Sequence, residues 1–232
     1  IKVLLFALMF GQLLFGTEDA LAAPPSASVA AWSTSDLESF VDGAVAQQFR
    51  QYHLAGAVVT VVKDGQVAFS KGYGYADLAS KTPMDPATTG LRVGSVGKLV
   101  TWTAVMQLVA EGRLDLDADV NRYLTAFKIP ATRSAPITMR HLMTHSAGLD
   151  DSARGFQFRL SPDDLQSLEQ TLIDHLPPRI REPGVVTSYS NYGTALAGYI
   201  VQKVSGTPFD NYVERQVFAP LQMNRSTFAE PL

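Results

Sequence analysis

The strongest constraint on the fold is an apolar segment, residues 95–111, which reads SVGKLVTWTAVMQLVAE and is followed by Gly112. Its apolar side chains fall on nearly every face of a helix, which is typical of a helix surrounded by other elements. The segment is too short and too often interrupted to span a membrane. We therefore expect a globular protein with a buried helix, and 232 residues of which 46% are hydrophobic supply enough material for such a core.

A β-hairpin is predicted before this helix. Strands over residues 56–62 and 66–74 flank Lys63 and the pair Asp64-Gly65, which is typical of a tight type I′ turn. A helix should precede the hairpin and mostly helices should follow it. This order favours an α+β fold over alternating βαβ units.

The predicted helices have recognisable start and stop residues. The first should begin with a capping box, Ser35-x-x-Glu38, and should bury one face, made of Leu37, Phe40, Val41, Ala44 and Val45. Later helices are expected to start at Thr138, at Ser161-Pro162, near Asn191 and at Thr207-Pro208, and Gly206 should end the helix before the last one.

Charge and composition exclude several kinds of protein and site. The chain has 19 basic and 22 acidic residues, and a net charge of −3 gives no electrostatic reason to expect nucleic acid as a partner. With 18% charged residues and a high apolar content, the chain is neither a disordered tail nor a coiled coil. Because there is no cysteine, disulfides, thiolate metal sites, iron–sulfur clusters and a cysteine nucleophile are excluded.

His141 and His145 have the spacing of a metal-binding pair on an expected helix. The residues between them, Leu-Met-Thr, include no glutamate, and the only other histidines are His53 and His175. We therefore favour a packing role for the pair, and no metal or other cofactor is predicted.

The amino-terminal residues resemble a secretory signal. The first 16 residues are apolar apart from Lys2 and Gln12, and a run of small residues follows before Pro24 and Pro25. This pattern predicts a signal peptide over residues 1–22, a linker over 23–34 and a domain over 35–232. An uncleaved amino-terminal anchor is the alternative. In both cases the domain is expected to be secreted or periplasmic.

Ser95 and Lys98 are the most informative pair, because the lysine stands at the front of an otherwise apolar helix. A charged and unpaired ammonium is costly in such surroundings. Residues three apart share a helix face, so the two side chains can form a hydrogen bond, and a serine nucleophile needs an amine that takes or relays its proton. This spacing also arises by chance, so a capping serine beside a lysine that reaches into solvent is the alternative.

Tyr189-Ser190-Asn191 is the second motif, and it precedes a predicted helix. A tyrosine acts as a general base only where a nearby cation favours the phenolate, as an ammonium would. The amide of Asn191 can both donate and accept hydrogen bonds, which suits it to orient a lysine or a substrate carbonyl. A surface tyrosine that covers the core is the alternative.

Three segments together resemble the serine β-lactamase and penicillin-binding-protein superfamily, in particular its class C β-lactamases, D,D-carboxypeptidases and related esterases. They are residues 91–124, which include Ser95 and Lys98, residues 137–149, ITMRHLMTHSAGL, and residues 186–193, VTSYSNYG. The resemblance runs from about Trp32 to Leu232 and includes PLQMNRSTF, where Gln222 stands in place of the family's usual glycine. It implies an antiparallel sheet flanked by helices, with a mainly helical subdomain.

The resemblance also implies a role for each residue of the two motifs. Ser95 would be the acylated nucleophile, and its backbone N–H would form half of an oxyanion hole. Lys98 would activate Ser95, and Tyr189 would act as general base and pass a proton to the leaving group. Asn191 would bind Lys98 and the amide carbonyl of the substrate. The implied reaction is acyl transfer to serine followed by hydrolysis, without a metal.

The implied partner is a small-molecule or peptide substrate: a D-Ala-D-Ala-type peptide, a β-lactam or a short-chain ester. The alternative function is a non-catalytic domain that binds cell-wall peptides or β-lactams. The family's Lys/His-Thr/Gly-Gly triplet, which supplies the second oxyanion donor, is not found in the 41 residues after Asn191. We therefore expect an amino-terminal portion of a longer protein, without its carboxy-terminal strands and inactive by itself. Membrane attachment through either end would be compatible with this expectation.

Overall fold

The computed structural model describes residues 33–150 and 165–229. The expected signal peptide and the helix predicted at Ser161-Pro162 lie outside the described residues. Backbone contacts divide the chain into two units, Ile1–Leu91 and Arg92–Leu232, here called the N-terminal unit and the helical unit. Within the part of the chain that is described, no helix is both long and apolar enough to cross a membrane.

The N-terminal unit consists of one helix and a small antiparallel sheet. Helix α1 (Thr34–Tyr52) is followed by β1 (Gly56–Lys63), β2 (Gln66–Asp77) and the short β3 (Thr82–Pro83), which lie in the order β1-β2-β3. Between β1 and β2, Asp64 and Gly65 have φ values of 52° and 75°. Two successive left-handed residues are what a type I′ turn requires, so the predicted hairpin is confirmed.

The start of α1 differs from the prediction, because the capping residue is Ser33 rather than Ser35. The Ser33 hydroxyl accepts a hydrogen bond from the Asp36 N–H, and the Asp36 carboxylate accepts one from the Ser33 N–H, each 3.1 Å long. The cap at Ser33 lies two residues before the predicted one and adds helical hydrogen bonds such as that from the Leu37 N–H to the Ser33 carbonyl.

The predicted apolar face of α1 is only partly buried. Val41 is buried, and Leu37 and Val45, one turn away on either side, are half-buried. Phe40 was expected on this face but is 64% exposed. The burial of α1 therefore follows a narrow row of residues spaced four apart.

The helical unit starts with a 3₁₀ turn (Gly94–Gly97) that runs directly into α2 (Lys98–Ala110). The other helices are α3 (Met139–Met143), α4 (Leu168–Asp174), α5 (Asn191–Ser205) and α6 (Phe209–Val213), and a π-helical turn (Glu214–Phe218) continues α6. The starts predicted near Thr138, Asn191 and Thr207-Pro208 are confirmed, and Gly206 ends α5 with φ 74°. Helix α4 is capped by Ser167, a start that the sequence did not predict.

The most buried helix of this unit is α5 rather than α2. Nine residues of α5 are buried, from Tyr192 to Val201 with one interruption. Helix α2 contacts α5 and buries one face, made of Thr101, Ala104, Val105 and Leu108. Leu99 and Met106 on α2 are 66% and 43% exposed, so the prediction of burial on all sides is wrong. The buried positions follow the spacing of a single helix face.

The two units together make an α+β protein, with an antiparallel sheet beside a helix in one unit and helices packed around α5 in the other. The predicted fold class is therefore confirmed. For the chemistry, the important consequence is that α2 and α5 are neighbours, since each begins with a residue of a predicted motif.

Candidate active site

Ser95 and Lys98 lie at the junction between the 3₁₀ turn and α2. Gly94 enters this turn with φ 57°, a left-handed conformation that glycine adopts without strain. Lys98 is the first residue of α2, and its Nζ donates a hydrogen bond of 3.1 Å to Ser95 Oγ. The local chain thus brings the amine to the hydroxyl, as the three-residue spacing predicts.

Tyr189 and Asn191 flank the residue that caps α5. The hydroxyl of Ser190 accepts a 2.8 Å hydrogen bond from the Gly193 N–H, which fixes the start of the helix. This cap places Tyr189 directly before the capping residue and makes Asn191 the first residue of the helix. A serine at this position satisfies one of the free N–H groups of the first helical turn.

The two motifs meet at Ser95 and Lys98. The Tyr189 hydroxyl donates a 2.6 Å hydrogen bond to Ser95 Oγ, although the two residues are 94 positions apart in the sequence. Lys98 Nζ donates a 2.6 Å hydrogen bond to Asn191 Oδ1 and lies 4.8 Å from the centre of the Tyr189 ring. All four residues singled out from the sequence are therefore in one cluster.

The cluster combines a reachable hydroxyl with a partly desolvated amine. Ser95 is exposed and Tyr189 is 50% exposed, whereas Lys98 and Asn191 are half-buried. The hydrogen bonds of Lys98 go to a hydroxyl and an amide, and within residues 33–150 and 165–229 no carboxylate pairs with it. Such a lysine can exchange a proton with the neighbouring hydroxyl groups without first breaking an ion pair.

His145 contacts Tyr189 directly, and this contact was not foreseen. The expected helix that would carry His141 and His145 on one face ends at Met143, and His145 has a left-handed φ of 55°. The assumed helical spacing of the pair is therefore wrong. His141 Nδ1 lies 3.2 Å from the Thr138 N–H that it helps to cap, and burial lowers the pKa of His141.

No described cluster of three or more histidine, aspartate or glutamate side chains could hold a metal ion. A cavity of about 310 Å³ lies beside the buried Arg179, and none of the four cluster residues lines it. The four residues singled out from the sequence therefore lie outside this cavity, and Ser95 is exposed.

The sequence matches the beta-lactamase family over residues 40–232. The chain belongs to the beta-lactamase family. This confirms the resemblance that the three sequence segments indicated.

Curated relatives are similar to this chain over most of its length. Protein flp of Staphylococcus aureus strain MRSA252 is 29% identical over 204 residues, which are 85% of this chain and 39% of that protein. The chain therefore spans about two fifths of the length of this curated relative.

Solved structures show the same similarity. The octameric penicillin-binding protein homologue from Pyrococcus abyssi is 28% identical with a TM-score of 0.69, over 83% of this chain and 44% of that one. EstCE1, described as a hydrolase with promiscuous acyltransferase activity, is 28% identical with a TM-score of 0.68, over 82% of this chain and 52% of that one. The fold is thus shared with a penicillin-binding protein homologue and with a protein described as a hydrolase.

Proposed function

We propose that this protein is a serine hydrolase that acts on amide or ester carbonyls through an acyl group on Ser95. The observation that carries the proposal is that Ser95 Oγ is hydrogen-bonded by two groups that can exchange protons, Lys98 Nζ at 3.1 Å and the Tyr189 hydroxyl at 2.6 Å. A serine with neighbours of this kind is activated for nucleophilic attack.

In the first step, Ser95 Oγ forms a bond to the carbonyl carbon, and the bond from that carbon to the leaving nitrogen or oxygen breaks. The hydroxyl proton passes through Lys98 and Tyr189 to the leaving group. In the second step, water attacks the acyl group, gives its proton back to Ser95 by the same route and releases the acid. Asn191 holds Lys98 in place through its side-chain oxygen, 2.6 Å from Nζ.

The negative charge on the carbonyl oxygen in these steps needs hydrogen-bond donors. The backbone N–H of Ser95, in the turn before α2, is our candidate for one donor, since it lies at the amino end of a helix. In the family the second donor comes from the Lys/His-Thr/Gly-Gly strand. We therefore propose that the 232 residues by themselves have no turnover.

The substrate class follows from the chemistry of the nucleophile and from the relatives. A D-Ala-D-Ala-type peptide, a β-lactam and a short-chain ester each present a carbonyl that a serine can attack. The similar proteins include a penicillin-binding protein homologue and a hydrolase with acyltransferase activity, which supports this range.

Covalent labelling tests the proposal. The protein as its gene encodes it is incubated with a fluorophosphonate probe or a fluorescent penicillin, and labelling is compared between the natural sequence, Ser95→Ala and Ser134→Ala. Ser134 is an exposed serine outside the cluster and serves as the matched control. We expect Ser95→Ala alone to abolish labelling. Undiminished labelling of Ser95→Ala would exclude Ser95 as the nucleophile.

The lifetime of the acyl group separates a hydrolase from a binding or sensor domain. If intact mass shows no accumulated adduct while product forms, the protein is a hydrolase. An adduct that lasts for hours would instead favour the non-catalytic alternative, a domain that captures cell-wall peptides or β-lactams.

We also propose that the protein is secreted or periplasmic, with a signal peptide over residues 1–22, a linker over 23–34 and the hydrolase domain over 35–232. The apolar start of the chain and the small residues before Pro24 support this arrangement. The mass of the mature protein tests it, because cleavage near Ala22 removes a defined segment, whereas an uncleaved anchor leaves the mass unchanged.

A further inference from the structure

Tyr189 lies in a segment that has no helix or strand of its own. Residues 181–190 form turns and extended chain, and regular structure begins only at Asn191. The 2.6 Å hydrogen bond from Tyr189 to Ser95 Oγ therefore depends on whatever holds this segment in place.

The segment 145–150 provides that support through its backbone. The carbonyl of Ser146 accepts a 2.8 Å hydrogen bond from the Gly184 N–H, and the carbonyl of Gly148 accepts one of 2.9 Å from the Ile180 N–H. Gly148 has φ 73°, and a Cβ added there would lie 2.3 Å from the Arg181 carbonyl oxygen. The backbones of the two segments therefore lie in close contact and are joined by specific hydrogen bonds.

Within the segment 145–150, His145 contacts Tyr189 and the residues on either side of it. It does so through its backbone carbonyl, its Nδ1 and its imidazole ring. Its carbonyl accepts a 2.7 Å hydrogen bond from the Ser188 N–H, and its Nδ1 accepts one of 3.2 Å from the Ser190 N–H. Its imidazole ring lies against the Tyr189 ring, with centres 4.4 Å apart and planes inclined by 33°. One residue therefore contacts three consecutive positions around the tyrosine.

The imidazole is itself supported by the helix that carries Lys98. Trp102 on α2 meets the His145 ring nearly edge-on, with centres 6.3 Å apart and an angle of 71°. Lys98 lies one turn earlier on the same helix. Helix α2 therefore helps to hold the Tyr189 ring in place through Trp102 and His145.

We infer that His145 is a positioning residue for Tyr189, and that it holds the tyrosine hydroxyl at hydrogen-bond distance from Ser95. The inference rests on the proposed function of Ser95. Because a backbone N–H can only donate, the bond from Ser190 requires an unprotonated Nδ1, so the neutral imidazole carries its proton on Nε2. The ring and Nδ1 make separable contributions: the ring limits tilting of Tyr189, and Nδ1 fixes the backbone that follows it.

Two variants separate these contributions. His145→Phe keeps a flat ring but removes the acceptor, and His145→Asn keeps an acceptor on a side chain that tolerates a left-handed backbone but removes the ring. His53 is the matched control, since it also has a left-handed φ, 51°, and ends α1. His53→Asn should leave acylation unchanged.

The deciding measurement is the rate constant of acylation for both His145 variants, each made in the natural sequence and in Tyr189→Phe. A displaced catalytic group costs on the order of 10–100-fold in rate. We expect losses of this size in the natural background, and less than about twofold in Tyr189→Phe, because residues that act through one another are not additive. The protein as its gene encodes it is used, and thermal unfolding is recorded for every variant.

Equal fractional losses in both backgrounds would overturn the inference, because they would show a general structural role. Full activity of both variants in the natural background would also overturn it. If His145→Phe fails to fold, His145→Asn decides by the same comparison. Failure of the proposed function would be recognised separately, because Ser95→Ala would then still be acylated.

Discussion

Lys71 in the N-terminal unit and Lys98 in the helical unit each donate hydrogen bonds beside a tyrosine ring, but their acceptors differ. Lys71 Nζ lies 2.8 Å from Glu38 and 2.9 Å from Asp42, and 5.6 Å from the centre of the Tyr73 ring. The hydroxyl of Tyr73 donates a 2.6 Å hydrogen bond to Asp42. Every acceptor in this first cluster is a carboxylate.

In the second cluster the acceptors are neutral. Lys98 donates to the Ser95 hydroxyl and the Asn191 amide, and the Tyr189 hydroxyl donates to Ser95 over the same distance of 2.6 Å. A lysine and a tyrosine are thus arranged similarly in the two units, and the groups that they contact distinguish one cluster from the other.

Under the proposed function, the chemistry of the acceptors separates a structural cluster from a reactive one. Hydrogen bonds from Lys71 to Glu38 and Asp42 raise the pKa of Lys71, which keeps it a fixed cation. Burial and the bond to Asp42 raise the pKa of Tyr73 to about 12, which keeps its proton in place. Lys98 and Tyr189 instead share the Ser95 hydroxyl, and under the proposed function the second cluster moves the proton of this hydroxyl.

The largest expected effect distinguishes the two lysines. Lys98→Met should lower the acylation rate by about 10³-fold, since removing a group that transfers protons typically costs 10²–10⁴-fold. Lys71→Met removes the same charge and should change the rate by less than about twofold, because an exposed ion pair of this kind contributes little. Stopped-flow acylation with a chromogenic ester measures both. Equal losses for the two variants would remove the distinction between the clusters.

A second difference between the units is the depth of burial. Among the described residues, Val41 and Phe69 are the only buried apolar side chains of the N-terminal unit, and the other buried apolar side chains belong to the helical unit. Leu196→Ala in α5, at a fully buried position, should lower the free energy of unfolding by about 2–5 kcal/mol.

Leu78→Ala is the matched control in the N-terminal unit, because Leu78 is 64% exposed. It should change the free energy of unfolding by no more than about 0.5 kcal/mol. Urea unfolding measures both variants. Similar losses for the two would show that the stability of the protein is not concentrated in the helical unit.

The smallest expected effect concerns the titration of Tyr73. Its neutral form is favoured in the folded chain, with a pKa of about 12, so its contribution to stability is complete below about pH 10 and is lost as the pH rises from about 10 to 12. The difference in tyrosinate absorbance between the natural sequence and Tyr73→Phe should therefore have its midpoint near pH 12. In Asp42→Asn the midpoint should move to lower pH, and an unchanged midpoint would contradict the role given to Asp42.

The parts of the structure that depend on neighbouring residues could be predicted from the sequence. Asp64-Gly65 determines its own turn, and the spacing of Ser95 and Lys98 brings their side chains together through one helical turn. The cap of α1 is predicted wrongly at Ser35, because a capping box forms from Ser33 and Asp36 instead.

The two motifs come together only in the tertiary structure. No spacing rule relates Ser95 to Tyr189, and the prediction that they meet came from the family resemblance. The position of His145 could not be predicted from helical periodicity, because the helix ends before it and the residue turns left-handed. The small residues that follow, Ser146-Ala147-Gly148, were the one local signal that the helix had ended.

The most direct test of the account is to find where a covalent acylating probe attaches. The protein as its gene encodes it is treated with a penicillin or a fluorophosphonate, digested, and its peptides are mapped by mass spectrometry. We predict one adduct, on Ser95 in the 3₁₀ turn that precedes α2. An adduct on another residue, or turnover of substrate by a protein in which Ser95 is never modified, would contradict the account.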